Sequence, residues 1–491
     1  MKKMTLKMML LSGLVIMSMA LAAGSCAQGA DCDEVFSAGV TNTQLESPEL
    51  DNSCFTPFDT EEGLKLQVSW PVVYGAGGYE VKVANVTEPE SYLVDTLLDG
   101  CTMMVPVMEN ETYAVSVRSA GNKKYNNTAA ETASEYNFTV AGTRLLIPSP
   151  CEISTYITEH YQAPAAPSLG LIYELEAGGQ YTLEHTADFN LDKVKIVGNA
   201  ENRPTITVSG DGNLMTQAGL QLLDINFDCE DRTKEGVITF HTKPDQSIYV
   251  DNLDEFKSGV NRKTYIVADP IIISNCWFKD VSNSFIYNNK KSYGIFDLRI
   301  LNSIVQFNYA GSNNMFIHFQ SGNYSTICYM TIENSTLFNV ANTSAYWMRF
   351  QSRVNPEKAF GDAQKNKALW LFKNSTIYDT QMSSRDFANN PPRTGTQLMQ
   401  YSNNIIQNLK NIHQLGNGCT TTWENNTVCV TDSGKDKDAD VAAGTLTAPE
   451  DPAFVGPIQS LNFELPNGGV NFTPTGANTL AGRRGDPRWL N

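Results

Sequence analysis

Three phrases of five residues, Phe285-Ile-Tyr-Asn-Asn289, Phe316-Ile-His-Phe-Gln320 and Trp347-Met-Arg-Phe-Gln351, begin 31 residues apart, twice in succession. If Ile286, Ile317 and Met348 point into a coil, the alternation of a strand sends their neighbours outward. Three exposed columns are then predicted: Phe285/Phe316/Trp347, Tyr287/His318/Arg349 and Asn289/Gln320/Gln351, at strand spacings of ~4.8 Å. Rings of this kind stack on the C–H faces of pyranoses, and planar amides pair with hydroxyls, so the strip is a candidate carbohydrate-binding site. Arg353, on the same alternating face, is either a second cation for a uronic-acid carboxylate or a solvated loop charge. The competing reading is that the rings support an overlying loop and the amide columns stabilise the stack without a ligand.

Other chemistry has weaker support. A lyase acting on a uronic acid needs a base and a cation for the developing charge, which Lys279, Lys290, Lys291, Arg349 or Arg353 could supply. The phrases WIDH and RxPxxR are absent, and no paired-carboxylate hydrolase machinery can be placed, so no catalytic residue is assigned. No cofactor is assigned with certainty. Ca²⁺ is the one candidate, at Asp224, Asp228, Glu230 and Asp231. Asp436-Lys-Asp438-Ala-Asp440 begins like an EF-hand loop, but Val441 and Thr447 replace the Gly and Glu that such a loop needs. His160, His185, His241, His318 and His413 never fall in zinc-site spacing, so no metal ligand is assigned.

The elements that would hold the strip repeat a second phrase, in which an apolar residue and a variable one precede Asn, a mostly small residue and another strand. It occurs at Asn275, Asn302, Asn334, Asn374, Asn403 and Asn425, with a divergent copy at Asp224. Each copy is too short to bury its own apolar side, which is the mark of a solenoid. Asn tolerates the left-handed backbone of a bend, and its amide can bond the Asn one coil away. The intervals run from 22 to 40 residues, and the excess is assigned to loops budding from one edge. The predicted fold is all-β, a small sandwich followed by a right-handed parallel β-helix with a C-terminal capping segment. The 491 residues carry 36 Lys and Arg against 53 Asp and Glu, a formal charge of −17. A surface that acidic repels phosphate backbones and argues against nucleic acid as a partner.

At the N-terminus, Lys2, Lys3 and Lys7 precede an apolar run and small residues, the order of an export signal. Leu21-Ala-Ala-Gly-Ser-Cys26 resembles a lipobox, which implies lipidation at Cys26. The expected division is 1–25 signal peptide, 26–55 tether, 56–142 sandwich, 145–440 β-helix and 441–491 capping segment. Trp70, Gly78-Tyr-Glu-Val81 and Met108-Glu-Asn-Glu-Thr-Tyr113 resemble a fibronectin type III domain with its tyrosine corner. Cys32/Cys54 and Cys419/Cys429 could pair, and buried thiols are the equal alternative.

Together the lipobox cysteine, the fibronectin-like module, the Asn-bend coils and the closing Gly485-Asp-Pro-Arg-Trp489 resemble a family of Bacteroidetes surface lipoproteins with a pectate-lyase-like β-helix. The resemblance implies a lipid-anchored place at the outer membrane or cell surface, a polysaccharide partner and a neighbouring glycan-uptake transporter complex. It carries over no catalytic motif. The leading expectation is a glycan-binding or glycan-processing accessory lipoprotein of a polysaccharide-utilisation system. The alternatives are a lyase cleaving an acidic glycan by β-elimination, and an adhesin or structural solenoid.

Overall fold

A computed structural model describes residues 41–60, 62–256, 263–309, 315–341, 347–361, 368–379, 387–392, 394–409, 418–429 and 451–490. The signal, Cys26, Cys32 and the Asp436–Asp440 phrase lie outside the described residues. Among those described, no helix is long and apolar enough to cross a membrane.

The chain divides into two compact units. The first runs to Thr143 and takes in Pro164–Leu169. Its alternating strands form two antiparallel sheets. Gly63–Ser69 lies between Phe55–Thr60 and Thr102–Pro106 in one; in the other the order is Tyr92–Leu98, Tyr79–Asn85, Thr112–Ser119 and Ser134–Thr139. Alternation buries Leu66 and Val68 from one sheet against Val81, Val83, Val115 and Val117 from the other. The Tyr113 hydroxyl accepts from the Met108 N–H at 2.9 Å, which fixes the turn entering its strand.

The second unit is a parallel β-helix. Successive coils lay one strand each on an 11-stranded, a 10-stranded and a 7-stranded sheet, here the first, second and third sheets. Pairing between coils is parallel and in register, so like residues stack into interior columns. One such column runs Phe227, Phe278, Val305, Leu337, Ile377, Ile406 and Val428 along the second sheet.

The bend from the first sheet to the second is where the recurrent Asn sits. Asp224, Asn275, Asn302, Asn334, Asn374, Asn403 and Asn425 all have φ between 48° and 60°, a region Asn and Asp enter at lower cost than other side chains. Their amides form a ladder: Asn334 donates to Asn302 at 3.3 Å, Asn374 to Asn334 at 3.1 Å, Asn403 to Asn374 at 3.1 Å and Asn425 to Asn403 at 2.7 Å. The next residue builds an inner ladder. Ser335 Oγ accepts from Ser303 N, Ser375 Oγ from Ser335 N and Asn404 Oδ1 from Ser375 N, at 3.0–3.3 Å. Small polar residues follow the Asn because these buried N–H groups need acceptors.

The helix Ile153–Glu159 packs Ile153 and Ile157 into the core beside the first coils. Its N-cap is Glu152, whose carboxylate accepts from Thr155 N at 2.7 Å, Glu184 N at 3.0 Å and the Ser154 hydroxyl. Burial pushes this carboxyl up, but the bonds from Thr155, Glu184 and Ser154 outweigh it and bring it down to about 2. Because the folded value lies below the unfolded one of 4.5, its stabilisation is present above pH 4.5 and is lost as pH falls towards 2. Glu152→Gln is expected to cost about 1 kcal/mol at pH 6, and less at pH 3, read from urea midpoints; an equal cost at both pH values contradicts the cap's ionised role.

The outward faces of two sheets are covered. Val250, Phe256, Val354 and Phe360, from excursions that leave the third sheet's end, pack with Ile266, Cys328 and Ala368 over the first sheet. The C-terminal segment covers the coil along its flank. Leu461, Val470, Phe472 and Trp489 pack on Ile304 and Phe338 of the second sheet, and Thr479 meets Thr427 of the last coil, hydroxyl to hydroxyl at 2.9 Å.

Candidate functional site

On the outer side of the third sheet the expected exposed column is corrected at two of its three members: Tyr287 is 8% exposed and His318 4%, packed beneath the Glu235 loop, while Arg349 is half-buried. Ile286, Ile317 and Met348 pair in register and face the core, and Tyr287, His318 and Arg349 pair beside them on the opposite face. The rings of the preceding column correct the expectation. Phe285 and Phe316 are 0% exposed and Trp347 is 1%. They stack on one another with centroids 6.0 and 4.7 Å apart, and Phe285 also meets Phe278 and Phe307 of the second sheet. These three residues precede the strands, at the corner where the chain enters the third sheet, so the two-residue alternation does not reach them. A ring placed there buries 150–250 Å² of apolar surface, roughly, which fixes it inward. Phe285, Phe316 and Trp347 therefore belong to the core.

The amide column is also engaged. Asn289, at φ 49°, donates to the Phe240 carbonyl at 2.6 Å. Gln320 Oε1 lies 2.8 Å from His318 Nε2. Gln351 is exposed and accepts from Ser321 N at 3.1 Å. Arg353 is exposed, and neither it nor Arg349 has an ion-pair partner among the described residues.

Around His318 the structure adds residues that the sequence did not offer. Glu235 Oε2 lies 3.1 Å from His318 Nδ1, and Ser284 Oγ lies 2.9 Å from the same nitrogen while donating to Glu235 at 2.8 Å. The loop carrying Glu235 is stapled down: Ser282 and Asn283 donate to the Arg232 and Thr233 carbonyls, and Arg232 donates to the Ser284 carbonyl. Gly236, at φ 76°, lets it cross close to the row, since a Cβ there would lie 2.8 Å from Tyr287 Cβ. Burial raises the Glu235 carboxyl, but His318 and Ser284 outweigh it and hold it below its ordinary range. Burial, and then the Glu235 charge, push the Tyr287 phenol up. The missed signal is Val237-Ile-Thr-Phe-His241, the same pattern 48 residues before Phe285, with a longer excursion in between.

Serine and carboxylate meet one ring nitrogen here, whereas a nucleophile relay needs them on opposite nitrogens. With both nitrogens engaged, His318 orients its neighbours and is poorly placed to take a proton from a ligand.

The acidic group near Asp228 is occupied by a cation of the protein itself. Lys279 Nζ lies 2.9 Å from both Asp228 and Glu230, and Asp224 accepts from Asn275 at 2.6 Å as a rung of the ladder. This corrects the Ca²⁺ expectation at Asp224, Asp228 and Glu230, while the Asp231 side chain is exposed. Among the described residues no group of three His, Cys, Asp or Glu could hold a metal ion. Burial lowers the Lys279 ammonium, but Asp228 and Glu230 raise it further, so Lys279 stays protonated and is withdrawn as a lyase base. Lys290 and Lys291 are exposed on the turn after the strand Ile286–Tyr287.

Residues 1–178 match the family DUF4992, described as a domain of unknown function, and residues 179–340 match a second, Domain of unknown function (DUF4957). Among curated proteins none matches. Two solved structures are similar over most of their length. Pectate lyase PelI from Erwinia chrysanthemi is 9% identical, over 80% of this chain and 87% of that one, with a TM-score of 0.14. Pectate lyase Pel3 from Pectobacterium carotovorum is 9% identical over 78% and 86%, with a TM-score of 0.12. At such scores these similarities say nothing of substrate, and the β-helix rests on the chain's own strand pairing.

Proposed function

We propose that this protein is an exported, lipid-anchored accessory protein that binds a glycan on the outward face of its third sheet. The observation that carries the reading is the in-register row Tyr287, His318 and Arg349. In that row Tyr287 and His318 are buried and hold the wall in place, and the half-buried guanidinium of Arg349, with exposed Gln351 alongside, offers planar hydrogen bonding to a sugar chain. The engagement of His318 favours binding over catalysis. The order of strands in the N-terminal sandwich, with the Tyr113 corner, supports a fibronectin type III-like spacer. The segment from Cys26 would tether that spacer to an outer-membrane lipid, within reach of a glycan-uptake transporter.

Affinity electrophoresis of the purified protein through gels cast with a panel of pectins, alginates and neutral polysaccharides tests the reading. At least one should retard it. Arg349→Ala should then weaken retention about tenfold, as expected for a lost charge-assisted hydrogen bond of about 1.5 kcal/mol. Retention that is unchanged in this variant removes the row from the site. New ultraviolet absorbance from unsaturated uronate would instead establish lyase action.

A further inference from the structure

Five cations gather at the edge where the third sheet turns into the first, and none forms an ion pair with a described residue. Lys290 and Lys291 lie on the turn after Ile286–Tyr287, and Arg349 and Arg353 lie on and just after Met348–Phe350, two rungs further. Lys263 reaches the same place from the neighbouring excursion, its Nζ 5.9 Å from the ring of Tyr324. The turns are joined rung to rung. Ser325 Oγ donates to the Lys291 carbonyl at 2.9 Å, Tyr324 N to Ser292 Oγ at 3.3 Å, and Thr326 Oγ1 to the Val354 carbonyl at 3.2 Å. With ~4.8 Å per rung, Lys290 and Arg353 stand about 10 Å apart along one wall.

Elsewhere several described cations are held by the protein's own carboxylates. Lys279 meets Asp228 and Glu230, Lys373 meets Glu333, Arg299 meets Asp297 and Arg488 meets Asp486. In a chain of net charge −17, five neighbouring cations without an ion-pair partner among the described residues make this edge locally positive, and such an edge attracts anions. The half-buried ring of Tyr324 beside them suits an anion carried on a sugar.

We infer that this edge is a subsite for the carboxylate or sulfate groups of an anionic glycan, with Arg349 innermost and Lys290, Lys291, Lys263 and Arg353 at its rim. The inference rests on the glycan-binding reading and names its substrate class. The same cations could instead face anionic lipid headgroups; the flanking Tyr324 ring and the exposed Gln351 amide favour the sugar.

The test compares polymers that differ only in charge: polygalacturonate with its fully methyl-esterified form, and dextran sulfate with dextran. It also uses vesicles of phosphatidylglycerol and phosphatidylcholine. The variant is K290N/K291Q/R353Q; Asn is chosen at 290 because that residue has φ 61°, which Asn tolerates. All three positions are exposed, and circular dichroism verifies folding. Polygalacturonate should be retained, its uncharged form at least tenfold less, and the variant should lose most of that difference. Equal retention of acid and ester, unchanged in the variant, overturns the subsite and leaves glycan binding standing. Variant-sensitive retention of dextran sulfate alone, with no natural glycan bound, keeps the anion subsite and overturns the glycan reading. Binding of phosphatidylglycerol vesicles without any polymer assigns the edge to a membrane and overturns the proposal, as does binding to none of the probes.

Discussion

Trp347→Ala is expected to lower the unfolding free energy by about 3–5 kcal/mol, the range for removing a buried large aromatic. The side chain is 1% exposed and lies between Phe316 and Phe387, with centroids 4.7 and 5.0 Å away. Each such ring pair adds about 0.5–1.5 kcal/mol beyond the area it buries. Truncation would leave a void at a corner where neighbouring coils restrain collapse, so little of the loss can be recovered by relaxation. Trp347→Phe keeps a ring in the stack and should cost much less. Arg349→Ala, two residues on and facing outward, should move stability by no more than about 0.5 kcal/mol while weakening glycan retention. Urea titrations of the three variants, read by far-ultraviolet circular dichroism, order them. A Trp347→Ala protein as stable as the parent and deficient only in binding would restore the ring to the surface and overturn the interior stack.

The contrast between positions 347 and 349 shows what pattern alone conveys. Spacing set the register correctly, because parallel coils must repeat residue for residue to stack their apolar columns: Ile286, Ile317 and Met348 pair as the 31-residue interval requires. The bends were legible for a related reason, since only a few side chains accept a positive φ, and each predicted Asn has one. Alternation failed at Phe285, Phe316 and Trp347 because it holds along a strand and ends at a corner. The fate of the acids near Asp228 was hidden because Lys279 lies 51 residues further along, and only coil stacking brings them together. Glu235 was hidden likewise: it meets His318 across 83 residues. Sequence conveys the repeat itself far better than it conveys what the excursions between repeats bring into contact.

The C-terminal segment depends on one buried carboxylate, and Asp486→Ala is expected to cost about 3–5 kcal/mol, as when a partner is removed from a buried charge pair. Asp486 is 1% exposed. Its carboxylate accepts from the Thr336 hydroxyl at 2.8 Å, from the Arg488 guanidinium at 2.8 Å and from Arg488 N at 3.0 Å, while Trp489 Nε1 donates to the same Thr336 oxygen at 2.7 Å. Alanine would leave a largely buried guanidinium with the Asn302 carbonyl but without its carboxylate, would leave the Thr336 hydroxyl without its acceptor, and would loosen the seat of Trp489 on Phe472. The backbone reinforces this seat. Gly485 N donates to the Asn403 carbonyl at 2.7 Å, and a Cβ on Gly485, which has φ 98°, would lie 2.8 Å from Ile405. Asp486→Asn keeps the shape and an acceptor for Thr336, and should cost about 1–2 kcal/mol less than alanine. Hydrogen exchange locates the damage. Faster exchange confined to residues 451–490 and the second-sheet strands Ile304–Phe307, Thr336–Asn339 and Thr376–Asp379 is the expected pattern, because these strands lie directly beneath the segment. Uniform protection in Asp486→Ala, with an unchanged urea midpoint, would mean that the apolar contacts of Leu461, Val470 and Phe472 hold the segment without the carboxylate.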